Sequence, residues 1–209
     1  MPQKKVPLLR DESYHLFNRG VDKREIFLDK EDYLRFYQSL YLFNTREATV
    51  NFESARNRSK KDSVREKLVE IKAYSLLPNH FHILITQTLE GGISEFMRRV
   101  STGYTSYFNQ KYDRSGALFQ GRFKRVHISS NEQYMYLFAY VNENHFVHNV
   151  KISREVCHSS SLHYQGLVTS KLINKIEDHT TYKFSENKDL AIDIFNKRMV
   201  NKADKELLE

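Results

Sequence analysis

The sequence predicts an α+β layer sandwich built on an antiparallel sheet. Short runs alternate apolar and polar residues, as strands do, whereas longer runs place apolar residues three and four apart, as helices do. Those runs follow one another as strand, helix, strand, strand, helix, strand, helix. A length of 209 residues accommodates one such domain and an appendage.

Residues 13–18 read as the first strand, stopped by Arg19 and Gly20. Asp29 and Asp32 flank a helix start, and Tyr33, Leu34, Phe36, Tyr37, Leu40 and Tyr41 supply its apolar positions. Residues 44–67 are polar and charged and read as an excursion outside the core, partly helical near its end. Strands at 70–76 and 81–86 are joined by Pro78 and Asn79, a pair suited to a turn. After Gly91 and Gly92, Ser94 is the expected cap of a helix reaching about Asn109, with Ile93, Phe96, Met97, Val100 and Tyr104 as its stripe. Residues 116–128 alternate loosely and read as strand or extended chain. Ser130 or Asn131 then opens a helix to about His145, with Tyr134, Leu137, Phe138, Val141 and His145 as its buried stripe. Beyond 165, Leu172, Ile173 and Ile176, then Leu190, Ile194, Phe195 and Met199, suggest two amphipathic helices before a charged tail at 201–209.

Composition excludes several classes. No apolar run is long enough to span a bilayer. Met1 and the residues after it lead into no signal-peptide core, so the expected location is the cytoplasm. The single cysteine, Cys157, makes neither an internal disulfide nor a cysteine-based zinc site. Lys plus Arg number 33 against 26 Asp plus Glu, a formal charge of +7. That excess suits a nucleic-acid binder, although a basic solvated surface has the same total. Distribution is more informative. Arg98, Arg99, Lys111, Arg114, Arg122, Lys124 and Arg125 lie close in sequence, interleaved with Tyr104, Tyr107, Phe108, Tyr112, Phe119 and Phe123. Cations that hold phosphates beside aromatic rings that stack bases would grip a single strand, while ordinary burial claims part of the same aromatics.

Two constellations could carry chemistry, and each has a plain alternative, structural histidines in the first and a tyrosine packed at a helix edge in the second. His80 and His82 share one face of a strand because side chains alternate, while Phe81 points to the other. Two neutral imidazoles on one face can form two corners of a divalent-metal site. On the last helix of the domain, Tyr140 and Asn144 are four apart and emerge one turn from each other, on the flank of the buried stripe. An Asn carbonyl there could complete a metal site, with a tyrosine hydroxyl directed towards the same ion. These parts suit phosphoryl transfer to tyrosine. The cation offsets phosphate charge and the departing 3′ oxygen, the product is a phosphotyrosine ester, and the retained 3′ hydroxyl can reverse the step.

Tyr14-His15-Leu16-Phe17-Asn18-Arg19-Gly20, then Leu77-Pro78-Asn79-His80-Phe81-His82-Ile83-Leu84, then Tyr107-Phe108-Asn109 with 116–124, then Tyr140-Val141-Asn142-Glu143-Asn144 stand in an order that resembles the insertion-sequence-200-like transposases. These are single-tyrosine members of the HUH endonuclease superfamily, and the similarity is greatest to the REP-associated tyrosine transposases. It spans about residues 8–165 and implies a ferredoxin-like or RRM-like sandwich as a catalytic domain over 1–165, interrupted by the insertion at 44–67. The C-terminal helical extension at 166–209 has no counterpart in the resemblance. The resemblance implies Tyr140 as nucleophile, His80 and His82 as metal ligands and Asn144 as the third. It implies Mg²⁺ or Mn²⁺, cleavage of single-stranded DNA beside hairpins, a 5′-phosphotyrosine intermediate, and either a homodimer or a monomer. Relatives read Asn-Pro where this chain reads Asn144-His145, which leaves His145 and His148 as alternative ligands.

The residues and the resemblance together lead to the expectation of metal-dependent cleavage and strand transfer of single-stranded or hairpin DNA, as in a mobile element. Arg19, Arg98, Arg99, Arg114, Arg122, Lys124 and Arg125 are its candidate DNA contacts. The alternatives are a domesticated nucleic-acid-binding protein of the same fold that does not cleave, and a metal hydrolase that uses bound hydroxide.

Overall fold

The structure, a computed structural model, describes residues 7–47, 51–59, 65–151, 156, 158–173 and 183–200. The elements run β1 (Ser13–Arg19), α1 (Lys30–Leu42), α2 (Phe52–Ser59), β2 (Val69–Leu77), β3 (His80–Gln87), α3 (Gly92–Lys111), β4 (Lys124–His127), α4 (Asn131–Val147), the single turn α5 (Ser161–Tyr164) and α6 (Phe184–Val200). The sheet order is β2-β3-β1-β4 with every neighbouring pair antiparallel. Leaving α2 aside, β1 to β4 with α1 and α3 form the antiparallel α+β sandwich that the residues predict, in the ferredoxin-like β-α-β-β-α-β order that the resemblance implies.

Alternation along β3 divides the molecule into layers. Phe81 faces α1, where its ring lies 5.1 Å from that of Phe36, and Phe36 in turn meets Tyr104 of α3 at 5.0 Å. Helices α1 and α3 therefore cover the apolar face of the sheet. The opposite face carries His80 and His82 and is covered by α4, against which α6 packs. Phe184 of α6 sets its ring 5.7 Å from that of Phe146, and Ala191 is buried.

Helix α1 starts where the sequence places it. Asp29 caps it through Asp32 N–H, and the Asp32 carboxylate returns the bond to Asp29 N–H. Asp32 is fully buried and also accepts from Lys111 Nζ at 3.0 Å, Tyr112 at 2.8 Å and Tyr107 at 3.1 Å, tying the end of α3 to the start of α1. Much of the basic and aromatic stretch read as a strand-gripping surface is thus structural, with Tyr104, Phe108 and Phe119 in the core.

Other elements differ from expectation for identifiable reasons. Helix α3 begins at Gly92, preceded by Gly91 at φ +68°, and not at a Ser94 cap. A side chain at Gly92 would overlap the Leu68 carbonyl, so only glycine lets the helix start pressed against that backbone. Within 116–128 only Lys124–His127 is strand, although Phe119 bridges Gly20. The excursion at 44–67 does contribute to the core. Asn44 pairs with both backbone groups of Val69 at 2.8 and 3.1 Å, Phe52 is buried, and the Arg35 guanidinium lies 3.3 Å from its ring centroid. Leu172 and Ile173 are buried outside any helix, with Ile173 bridging Ile71 in parallel, while Ile176 lies outside the described residues.

Helix α4 is capped by Ser130, which accepts from Gln133 N–H. Every residue from Leu137 to His145 is buried, so the expected stripe widens to the whole circumference. The chain at 158–164 causes this by lacing α4 to β2. Ser160 Oγ accepts from Tyr74 N–H at 2.8 Å and donates to Asn142 Oδ1 at 2.6 Å. Ser159 donates to the Asn142 carbonyl and Ser161 to Glu143 Oε1, each at 2.7 Å. Replacing Ser160 with Ala leaves buried polar groups on α4 and β2 without that hydroxyl, so the variant is expected to lose about 1–3 kcal/mol. Urea denaturation would read this as a lower midpoint at unchanged slope.

Candidate functional site

β3 and the turn before it position the two histidines. Asn79 donates from Nδ2 to the Lys23 carbonyl at 3.2 Å, which turns its Oδ1 towards His80 Nδ1, 2.6 Å away. An amide oxygen only accepts, so His80 donates from Nδ1 and keeps its lone pair on Nε2. His82 is buried, with Nδ1 lying 2.9 Å from Nε2 of His15 on the neighbouring strand. Phe17, directly opposite in register, stacks on the His82 ring at 5.8 Å. The rings of His80 and His82 are 5.1 Å apart at 87°.

Helix α4 supplies the other wall. Tyr140 is completely buried, and its ring stands edge-on to His82 at 5.5 Å and to His15 at 6.3 Å. Two turns further on, the His148 ring lies 4.9 Å from that of His80 at the exposed end of the helix. Tyr140 and His148 thus mark one face of α4 that runs alongside His82 and His80. Asn144 falls midway between them in sequence, one turn from each. It is fully buried, and neither Oδ1 nor Nδ2 has a hydrogen-bond partner.

That orphaned amide decides whether the residues present suit a cation. A buried amide without a partner is costly, and a metal ion is one group that would satisfy its oxygen. Among the described residues no three His, Cys, Asp or Glu side chains converge to hold an ion. Two imidazoles and one amide are nonetheless donors of a kind that could hold a divalent cation. His145 is placed differently. It turns Nε2 towards Glu143 at 3.8 Å, and burial pushes its pKa down to about 4.

The candidate DNA contacts separate into groups. Arg19 lies opposite His80 in register, hence on the histidine face, and its buried Nε has no hydrogen-bond partner. Lys124 lies opposite Phe17 on the same face, whereas Arg125 lies opposite Leu16 and projects to the other. Arg122 is exposed just before β4. Arg98 and Arg99 both hold Glu95, Arg98 at 2.8 Å and Arg99 at 2.7 Å. Arg99 also donates to the Thr45 and Glu47 carbonyls at 2.8 and 3.0 Å. Arg114 donates to Asn109 and, at 3.2 Å, to the Ala117 carbonyl.

Sequence reasoning does not identify His15 as a part of the site. It lies within the Tyr14–Gly20 motif, but its bond to His82 crosses strands and leaves no local spacing to read.

A family model described as transposase IS200-like matches residues 37–144, which include His80, His82, Tyr140 and Asn144. A search of curated proteins finds no match. Among solved structures, a REP-associated tyrosine transposase bound to a REP hairpin matches with a TM-score of 0.54 at 15% identity, covering 84% of this chain and 99% of that one. A candidate transposase from Deinococcus radiodurans R1 matches with a TM-score of 0.38 at 11% identity, over 72% of this chain and 99% of its own. The likeness to the REP-associated structure shows a shared fold. No described helix is long and apolar enough to cross a membrane. With just over half of its length matched by the family model, the chain belongs to the IS200-like transposase family.

Proposed function

We propose that this chain cleaves and rejoins single-stranded DNA through Tyr140, with a divalent cation held by His80, His82 and Asn144. The observation that carries this reading is the placement of Tyr140 edge-on to His82 at 5.5 Å, with a buried amide lacking a partner one turn along the helix. The Tyr140 oxygen attacks phosphorus, the bond from phosphorus to the 3′ oxygen breaks, and the phenol's proton ends on that oxygen through solvent. The 5′ end stays on the protein as a phosphotyrosine ester, and attack by a 3′ hydroxyl reverses the step. A bound Mg²⁺ or Mn²⁺ would offset the non-bridging oxygens and the departing 3′ oxygen.

The chain's own residues organise the rest. His80 and His82 have their Nδ1 atoms engaged by Asn79 and His15, so Nε2 is the nitrogen of each that would hold an ion. Arg19 and Lys124 on the same face are placed to take flanking phosphates. Within the chain, the Tyr140 ring already stands against His82, and His82 against His80. The REP-associated relative is described with a hairpin bound, which supports hairpin-bearing single strands as the substrate class.

The complete burial of Tyr140 favours one competitor, a non-cleaving nucleic-acid binder of the same fold. Trapping separates them. With hairpin-bearing single-stranded DNA and Mn²⁺, a denaturing gel should show a covalent adduct that Tyr140→Phe abolishes while DNA affinity stays unchanged. An adduct persisting in that variant moves the role to Tyr136, and salt-sensitive binding with no adduct on any hairpin supports the competitor. Imidazole donors suit Mn²⁺ better than Mg²⁺, so Mn²⁺ is expected to support the adduct at lower concentration.

The basic residues should divide in the same way. Lys124→Ala is expected to weaken DNA binding and reduce the slope of log affinity against log salt by about one. Arg99→Ala should leave that slope alone and lose about 1–3 kcal/mol in thermal or urea unfolding, because its partners are Glu95 and two of the chain's own carbonyls.

A further inference from the structure

His15 is completely buried on β1, where it lies opposite Leu84 and beside Phe17 on the face that carries His82. An imidazole in such a slot costs free energy unless its nitrogens are satisfied, and an apolar residue would fill the space without that cost. Its Nε2 lies 2.9 Å from His82 Nδ1, with the two rings 5.1 Å apart and only 15° from parallel. The same ring stacks on Phe17 at 5.1 Å and stands nearly perpendicular to Tyr140 at 6.3 Å. His15 therefore touches both the histidine and the tyrosine around which the site is built, from beneath, on β1.

The hydrogen bond has a direction that the chemistry constrains. For His82 to offer a lone pair from Nε2, its proton must sit on Nδ1, and Nδ1–H needs an acceptor. His15 Nε2 is the acceptor at hand, which places the proton of His15 on Nδ1. Asn79 performs the corresponding task for His80. The two histidines of β3 are then oriented by one acceptor each, an amide for the outer ring and a second imidazole for the inner one.

We propose that His15 is a positioning residue that fixes the orientation and tautomer of His82 for divalent-metal binding and braces the Tyr140 ring against it. This rests on the reading of His82 as a metal ligand, and the test separates the two. Mn²⁺ binding to the full-length, DNA-free protein is measured by calorimetry or electron paramagnetic resonance, independently of cleavage. His15→Phe keeps a ring in the slot but removes the acceptor, and is expected to weaken Mn²⁺ binding about 10–100-fold, the usual effect of losing such a partner. His15→Gln, whose amide oxygen can accept from His82, is expected to recover most of the affinity. Loss in both variants alike, or in neither, overturns the proposal while leaving the metal reading intact. Absence of saturable Mn²⁺ binding by the unaltered protein overturns the metal reading and this proposal with it. A measurement on the unaltered protein guards against a variant that fails to fold. Long-range ¹H–¹⁵N correlation spectra should show His82 protonated on Nδ1, and protonation on Nε2 would sink the assignment.

Discussion

The period-two alternation of β3 is the constraint on which the rest of the structure depends. It sends Phe81, Ile83 and Ile85 into the layer beneath α1 and α3, and it necessarily turns His80 and His82 to the opposite face. A central strand is covered on both sides, so the histidine face had to be roofed by something able to live with imidazoles. Helix α4 is that roof, and its polar residues are the consequence. Asn142, Glu143, Asn144 and His145 are all buried in one helix, an arrangement that would be prohibitive if their polar atoms were left to themselves. The serine run at 159–161 answers much of that demand, and α6 closes the remaining side of the helix.

What was legible in the sequence was local. The histidine pair on one face, Asp29 and Ser130 as helix caps, and the turn at Pro78 and Asn79 each follow from spacing within a few residues, and each stands in the structure. What failed was non-local or steric. Hydrophobic periodicity identifies one buried stripe of a helix, and it is silent on a helix buried all round by polar lacing from a segment 17 or 18 residues further on. The true start of α3 depends on how closely Gly92 approaches the Leu68 carbonyl, a packing fact with no sequence signature beyond the glycine itself. Leu172 and Ile173 have helical spacing with Ile176, yet Ile173 bridges the edge of β2.

Charge illustrates the same division. An excess of seven positive charges and a cluster of basic residues between Arg98 and Arg125 suggest one continuous phosphate-binding surface. The structure spends several of those cations on itself. Lys111 binds the caps of α1, Arg99 closes the backbone after α1, and Arg114 holds the turn that follows α3. Cations on the histidine face come instead from separate strands, Arg19 on β1 and Lys124 on β4, whose neighbourhood depends on sheet order. A linear cluster and a spatial one are different objects, and only the second can meet a phosphate backbone.

The burial of Tyr140 bears on the proposed chemistry in a way that its position alone does not. A strand transferase must protect its phosphotyrosine from water so that the hydroxyl which attacks it belongs to DNA. A nucleophile walled by His15, His82 and the helix itself gives water little room near the ester. The open end of the site lies where His80 is half-buried and His148 exposed, eight residues along α4, or roughly 12 Å at the helical rise. Substrate reaching Tyr140 from that end would pass His80 first, then the level of Asn144. The donors would thus be met before the nucleophile, and the phosphate would be oriented on the way in. On the proposed chemistry, burial and reversibility would be one property, since walls that make the tyrosine hard to reach would also keep a broken strand available for rejoining.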